Sequence, residues 1–184
     1  YKGKVVSEVY QGIEEDIYDA NTKEPWIWAG GVWGGDITTV IAEDVIQPKS
    51  TAYWFFSMDN VAYMDLTKLD MSQVEDMISM FSGTGIYVTD TFTLKGIGQW
   101  DTSNIRLMGT SFRNMAMNAT TLILDDISGW DTSSAEDMYY MFVRMGQNCS
   151  WHLDLSSWNV NKTTRYDGFS LSVESKIDEP HWVH

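Results

Sequence analysis

The chain has 184 residues, 43% of them hydrophobic and 14% aromatic, which suits one domain with a sizeable core and excludes a disordered segment. Its 26 acidic and 12 basic residues give a formal net charge of −14, which repels nucleic-acid phosphates and anionic lipid surfaces and excludes both as expected partners. No apolar run approaches the roughly 20 residues that span a bilayer, and the single cysteine, Cys149, excludes an internal disulfide framework or a CxxC metal knuckle.

The acid excess reads first as a solubility device, not as a ligand signal. The chain opens at Tyr1 without Met or a signal peptide, so it reads as a mature chain or excised fragment whose targeting segments lie outside it.

Residues 1–50 read as an N-terminal cap and a degenerate first coil. Residues 51–184 read as a repeat solenoid with a C-terminal cap, continuous with the first part as one domain. Within PWIWAGGVWGG, Trp26, Trp28 and Trp33 gather among glycines. Such tryptophans either cover the end of a repeat stack or make a platform on which a sugar ring stacks. Further on, IAEDVIQP leading into STAYWFF resembles a weakened repeat, with Trp54 and Phe55 standing where Met and Phe stand later.

The decisive signal is self-similarity. LDMSQVEDMISMF at 69–81 recurs as WDTSNIRLMGTSF at 100–112 and WDTSSAEDMYYMF at 130–142, and a shortened copy, WNVNKTTRYDGF, fills 158–169. The anchors Leu69, Trp100, Trp130 and Trp158 follow one another at 31, 30 and 28 residues, a period typical of one supersecondary unit stacked on the next. Before each anchor an alternating stretch (Tyr63 and Leu66; Leu94 and Ile97; Leu124 and Ile127; Leu153 and Leu155) predicts a short strand. After it, Asp70, Asp101, Asp131 and Asn159, mostly followed two residues on by Ser72, Ser103 or Ser133, predict a capped turn. Then Val74, Met77 and Phe81 recur as Ile105, Met108 and Phe112 and as Ala135, Met138 and Phe142. Steps of three and four predict a helix or helical turn with a Met/Phe stripe facing the core; a Met-rich ligand groove is the other reading. The shortened fourth copy loses its Met residues and ends on Phe169.

Variable connectors separate the units: SGTGIYVTDTF, RNMAMNATTL and VRMGQNCSWH. Insertions in repeat proteins gather on one rim, a candidate binding surface. The residues chosen for partner contact are Trp26, Trp28, Trp33, Tyr87 and Trp151, because large aromatics in Gly-rich or connector segments make effective anchors. The tail KIDEPHWVH, with Trp182 and Val183, is expected to fold over the last repeat.

An apolar or Trp anchor followed by Asp, Thr, Ser, an aliphatic, then Met and Met-Phe resembles the repeats of the BspA-like leucine-rich-repeat surface proteins, most clearly over residues 62–169. Ser111 departs from the pattern where the second Met is expected. The resemblance implies an α/β fold: an irregular leucine-rich-repeat-type solenoid with one short strand plus one helix or helical turn per 28–31-residue repeat, and end caps. It also implies a bacterial secreted or cell-surface location, adhesion to a host or matrix protein or a glycan, and neither cofactor nor catalytic residues.

The residues themselves show no GxSxG, HExxH, P-loop or dinucleotide-binding glycine pattern. Asp65, Asp126 and Asp154 stand four residues before their anchors, with Gly96 in the corresponding place of the second copy. That row reads as an exposed acidic ladder; the alternative is a bridging cation, without any recognised calcium motif. Asn118, Asn148 and Asn161 begin N-glycosylation sequons. The expected function is a non-catalytic recognition module. Two alternatives are a structural subunit of a filament, tail fibre or surface layer that associates with copies of itself, and a carbohydrate-active enzyme, which requires two facing carboxylates.

Overall fold

The computed structural model describes residues 4–7, 16–19 and 37–183. Eight short strands are present among them: β1 (Lys4–Ser7), β2 (Asp16–Asp19), β3 (Thr39–Ala42), β4 (Tyr63–Asp65), β5 (Thr91–Lys95), β6 (Thr121–Leu124), β7 (Leu153–Asp154) and β8 (Ile177–Asp178). The first six form one sheet in the order β2-β1-β3-β4-β5-β6, and β7 pairs with β8. From β3 to β6 every pairing is parallel, whereas β1 runs antiparallel to both β2 and β3. Parallel neighbours need a long return connection, and here each return is the rest of one sequence repeat. The Trp26, Trp28 and Trp33 readings lie outside the described residues.

The strands follow the alternation of their side chains. Val40, Met64, Phe92 and Leu94 point inward and are buried, because strand neighbours face opposite sides. Ile41, Tyr63, Lys95 and Ile123 keep part or most of their surface in solvent.

After each anchor no α-helix forms among the described residues. In its place the chain makes overlapping four-residue turns. Met80, Ser82 and Thr84 donate their N–H to the carbonyls of Met77, Ser79 and Phe81 at 3.0–3.1 Å. The intervening residues Met77, Ser79, Phe81 and Gly83 donate across to Leu107, Gly109, Ser111 and Arg113 of the next repeat at 2.8–3.1 Å. The same ladder continues from Met108, Thr110, Phe112 and Asn114 to Asp137, Tyr139, Met141 and Val143. An α-helix spends all its amides on itself; this ribbon sends every second one to its neighbour. The device is a pair of left-handed residues four apart in each repeat: Tyr53 and Ser57, Ser79 and Gly83, Thr110 and Asn114, Tyr140 and Arg144, and Gly168 and Ser172 have φ between 52° and 77°. For a non-glycine residue that conformation costs roughly 1–2 kcal/mol, offset by hydrogen bonds that only the neighbouring repeat supplies.

The core lies between the sheet and this ribbon. Met77, Met108 and Met138 are fully buried, as are Phe81, Phe112 and Phe142. Phe55, Phe81, Phe112, Phe142 and Phe169 form one file with ring centroids 5.5, 5.3, 5.3 and 5.1 Å apart. Phe55 thus occupies the phenylalanine place of the weakened first repeat. Beside it, Trp100, Trp130 and Trp158 stack at 6.0 Å. The indole N–H groups of Trp130 and Trp158 donate to the carbonyls of Ile97 and Ile127 at 2.8 and 3.2 Å. Ser111, the departure from the Met pattern, is buried and donates to the carbonyls of Met77 and Met108.

The carboxylates after the anchors hold turns. Asp70, Asp101 and Asp131 accept the N–H of Ser72, Ser103 and Ser133 at 2.9–3.1 Å, and Asn159 does the same for Asn161 at 3.2 Å. Trp182 covers the last repeat, stacked on Tyr166 at 4.4 Å and edge-on to Phe169 at 5.1 Å. Val183 stays exposed.

Candidate functional site

The outer face of the parallel strands carries the candidate site. Two residue rows cross it: Thr39, Tyr63, Thr93 and Ile123, and beside them Ile41, Asp65 and Lys95. Two adjoining shallow depressions open along the carboxyl ends of these strands and share Thr67. One, of about 540 Å³, is lined by Thr67, Lys95, Gly96, Gly98, Gln99, Ile123, Asp125 and Asp126. The other, of about 450 Å³, is lined by Ile41, Ala42, Glu43, Asp44, Asp65, Thr67 and Lys68.

Its chemistry is mixed. Ile123 is 49% exposed and Ile41 36% exposed, so apolar surface is offered at both ends of the trough. Between them the ammonium of Lys95 sits 5.3 Å from the Tyr63 ring centroid, a cation–π contact. Asp65 is held below the ordinary carboxylate range, chiefly by the Thr67 hydroxyl, with the Thr67 amide and the Lys95 charge adding to it.

The trough exists because the second repeat carries glycine where its neighbours carry aspartate. Gly96 has φ 92°, and a Cβ there would lie 2.3 Å from the Thr67 nitrogen. The backbone N–H of Gly96 donates to Asp125 at 2.6 Å. A Cβ on Gly98 would meet the Asp126 carbonyl at 2.7 Å. Two glycines therefore let adjacent repeats approach closely enough to shape the floor.

The expected acidic ladder is distributed differently. Asp65, Asp126 and Asp154 each accept the N–H and hydroxyl of the residue two places on, Thr67, Ser128 and Ser156, at 2.6–3.1 Å. At least one oxygen of each is engaged in a turn. Among the described residues no three His, Cys, Asp or Glu side chains gather as a metal site.

Of the residues chosen for partner contact, Tyr87 stands in the first connector with 65% of its surface exposed. Trp151 is half-buried against the core, its N–H donating to the Gly146 carbonyl at 2.9 Å and the Lys176 ammonium 5.7 Å from its ring. It packs the third connector and keeps part of its surface in solvent. Lys176 ties down that connector through the carbonyls of Gly146, Gln147 and Cys149. Cys149 is buried, its thiol donating to the Ala119 carbonyl, and burial pushes its pKa up. Sequence reasoning missed Ile41, Lys95 and Ile123; for the two isoleucines the signal was an apolar residue at an outward place in an alternating strand, and Lys95 gave none.

Among known proteins, no curated protein and no solved structure matches the chain. Residues 49–179 match a family model described as "Mycoplasma protein of unknown function, DUF285". The match begins before the first clear repeat and ends after the last, and the chain belongs to this DUF285 family.

Proposed function

We propose that this chain is a non-catalytic recognition module, secreted or displayed at a cell surface, that binds a protein or glycan partner through the outer strand face. The observation that carries the reading is the trough itself: exposed Ile41 and Ile123 flank Lys95 and Tyr63 on a parallel frame in which Asp65 and Asp126 are engaged in turns. Exposed apolar surface beside a few placed polar groups is the chemistry of an interface core with a polar rim. The repeat pattern's resemblance to BspA-like surface proteins supports the extracellular, adhesive part of the reading. It also supports an irregular leucine-rich-repeat-type solenoid as the name for these stacked repeats.

The competing reading is a structural subunit that assembles with copies of itself. An open apolar end to the stack would favour it. The cover that Trp182 places over Phe169 and Tyr166 favours recognition.

The test is a panel of immobilised glycans and extracellular-matrix proteins, probed with the natural chain and with Ile123→Glu and Lys95→Glu. At least one panel member should bind and lose tenfold or more with either substitution, while the thermal midpoint stays within a few degrees. Unchanged binding in both variants would remove the strand face as the contact surface. Concentration-dependent growth in mass by light scattering would transfer the reading to self-assembly.

A further inference from the structure

The chain has four arginines, Arg106, Arg113, Arg144 and Arg165, all in the second to fourth repeats. In a chain with 26 acidic residues an exposed guanidinium readily finds a carboxylate. Two of the four do: Arg106 makes a two-pronged pair with Glu136 at 2.9 Å, and Arg165 meets Asp137 at 2.6 Å. Arg113 and Arg144 are exposed and have no ion pair among the described residues. Their backbones are neighbours, since the Asn114 N–H donates to the Val143 carbonyl and the two arginines flank that rung of the ribbon. Adjacent strand-like segments lie about 4.8 Å apart, and the register sets Arg113 level with Val143 and Arg144 level with Asn114, so the two unpaired cations leave the backbone from neighbouring rungs, one position out of step.

Arg113 is also oriented. Its guanidinium carbon lies 5.9 Å from the Tyr140 ring centroid, Tyr140 stacks on Tyr139 at 4.0 Å, and Arg165 lies 5.0 Å from Tyr139. The order Arg165, Tyr139, Tyr140, Arg113 makes a four-layer stack. Neighbouring tyrosines reach the same side because Tyr140 adopts the left-handed conformation, φ 53°. The ring faces are covered by each other and by the guanidinia, which leaves no platform for a sugar ring. What remains on offer is the edge of the Arg113 guanidinium, a planar fork of N–H donors that fits carboxylates.

We propose that Arg113 and Arg144, with the Tyr139–Tyr140 stack behind Arg113, form a docking site for an extended acidic segment of a partner protein. Carboxylates two residues apart on an extended chain are about 6.6 Å apart, a spacing that two arginines on adjacent rungs can span. The site is separate from the strand-face trough and stands whether or not that trough binds a partner.

The probe is fluorescently labelled octaglutamate, followed by anisotropy at low salt. Saturable binding is expected, weakening at least tenfold in Arg113→Gln/Arg144→Gln and fading as salt rises. Arg106→Gln, whose guanidinium already has a partner, should stay within twofold, and so should the trough variant Ile123→Glu. An unaltered thermal midpoint in the double variant keeps the comparison interpretable. No saturable binding, or equal binding by the double variant, would overturn the proposal. Displacement by a heparin-derived tetrasaccharide at lower concentration than by unlabelled octaglutamate would overturn the assignment to a peptide.

Discussion

The ring of Tyr140 occupies the space that a side chain on Gly168 would need: a Cβ at Gly168 would lie 2.1 Å from Tyr140 Cε1. Gly168 also has φ 63°, continuing the left-handed column of Tyr53, Ser79, Thr110 and Tyr140. The last repeat can follow the ribbon geometry and still leave room for the tyrosine stack only with glycine there.

Gly168→Ala should therefore destabilise the chain by about 2 kcal/mol or more, part from the left-handed backbone and part from the clash. Adding Tyr140→Ala should restore most of the clash component, a coupling that a double-mutant cycle in urea reads directly. Additive effects would mean that the ring is not what excludes the side chain.

Gly96→Ala and Gly129→Ala form a contrasting pair. A Cβ on Gly96 would lie 2.3 Å from the Thr67 backbone nitrogen, at φ 92°, whereas a Cβ on Gly129 meets nothing within 4 Å. The first should cost about 3 kcal/mol and distort the trough; the second should stay within about 0.5 kcal/mol of the natural chain. Chemical denaturation midpoints decide it, and equal losses would contradict the close approach of the two repeats.

Phe112 is fully buried between Phe81 and Phe142, 5.3 Å from each. Phe112→Ala should cost about 3–5 kcal/mol, enough to abolish cooperative unfolding in a marginal domain, whereas Phe112→Leu, which keeps most of the volume, should cost about 1 kcal/mol. Calorimetry of both separates packing from mere apolarity. Equal effects would show that the aromatic file is replaceable by any hydrophobe.

Asp131 caps its turn through one oxygen, and Asn159 performs the same task one repeat later. Asp131→Asn keeps the acceptor and should lose only the smaller share that depends on the charge, whereas Asp131→Ala should lose roughly 0.5–1.5 kcal/mol. Urea titration checks both; an Asn variant as unstable as the Ala variant would make the charge, not the acceptor, the stabilising element.

Acid dependence follows from the same turns. Hydrogen bonds from Ser72, Ser133 and Ser156 hold Asp70, Asp131 and Asp154 below their ordinary values, and Thr67 does so for Asp65. A carboxylate whose folded pKa is depressed contributes stability above its unfolded pKa, ~3.9, and that contribution disappears as pH falls through the lower folded value. Asp59, raised by burial, opposes this weakly. The thermal midpoint should be flat from neutrality to about pH 4.5 and fall below about pH 4. A midpoint that instead rises between pH 4.5 and 3 would show that relief of self-repulsion in a chain of net charge −14 outweighs the turns.

What the sequence alone determined is which side chains face inward. A register repeated at 31, 30 and 28 residues marks Leu69, Trp100, Trp130 and Trp158, and the buried Met77, Met108 and Met138, because a stack keeps equivalent residues in equivalent surroundings. The aspartates after the anchors were legible as turn caps for the same reason. The form of the backbone was not: steps of three and four belong equally to a helix and to a ribbon of overlapping turns. The choice rests on where alternate amides find acceptors, and those acceptors lie on a repeat about 30 residues away. The trough depends on how closely Gly96 and Gly98 let neighbouring repeats approach, and the unpaired state of Arg113 and Arg144 depends on which carboxylates the stacking brings within reach. Periodicity records the side a residue faces; contact across repeats is decided by the tertiary structure, because each repeat's hydrogen bonds and charges are completed only by its neighbours.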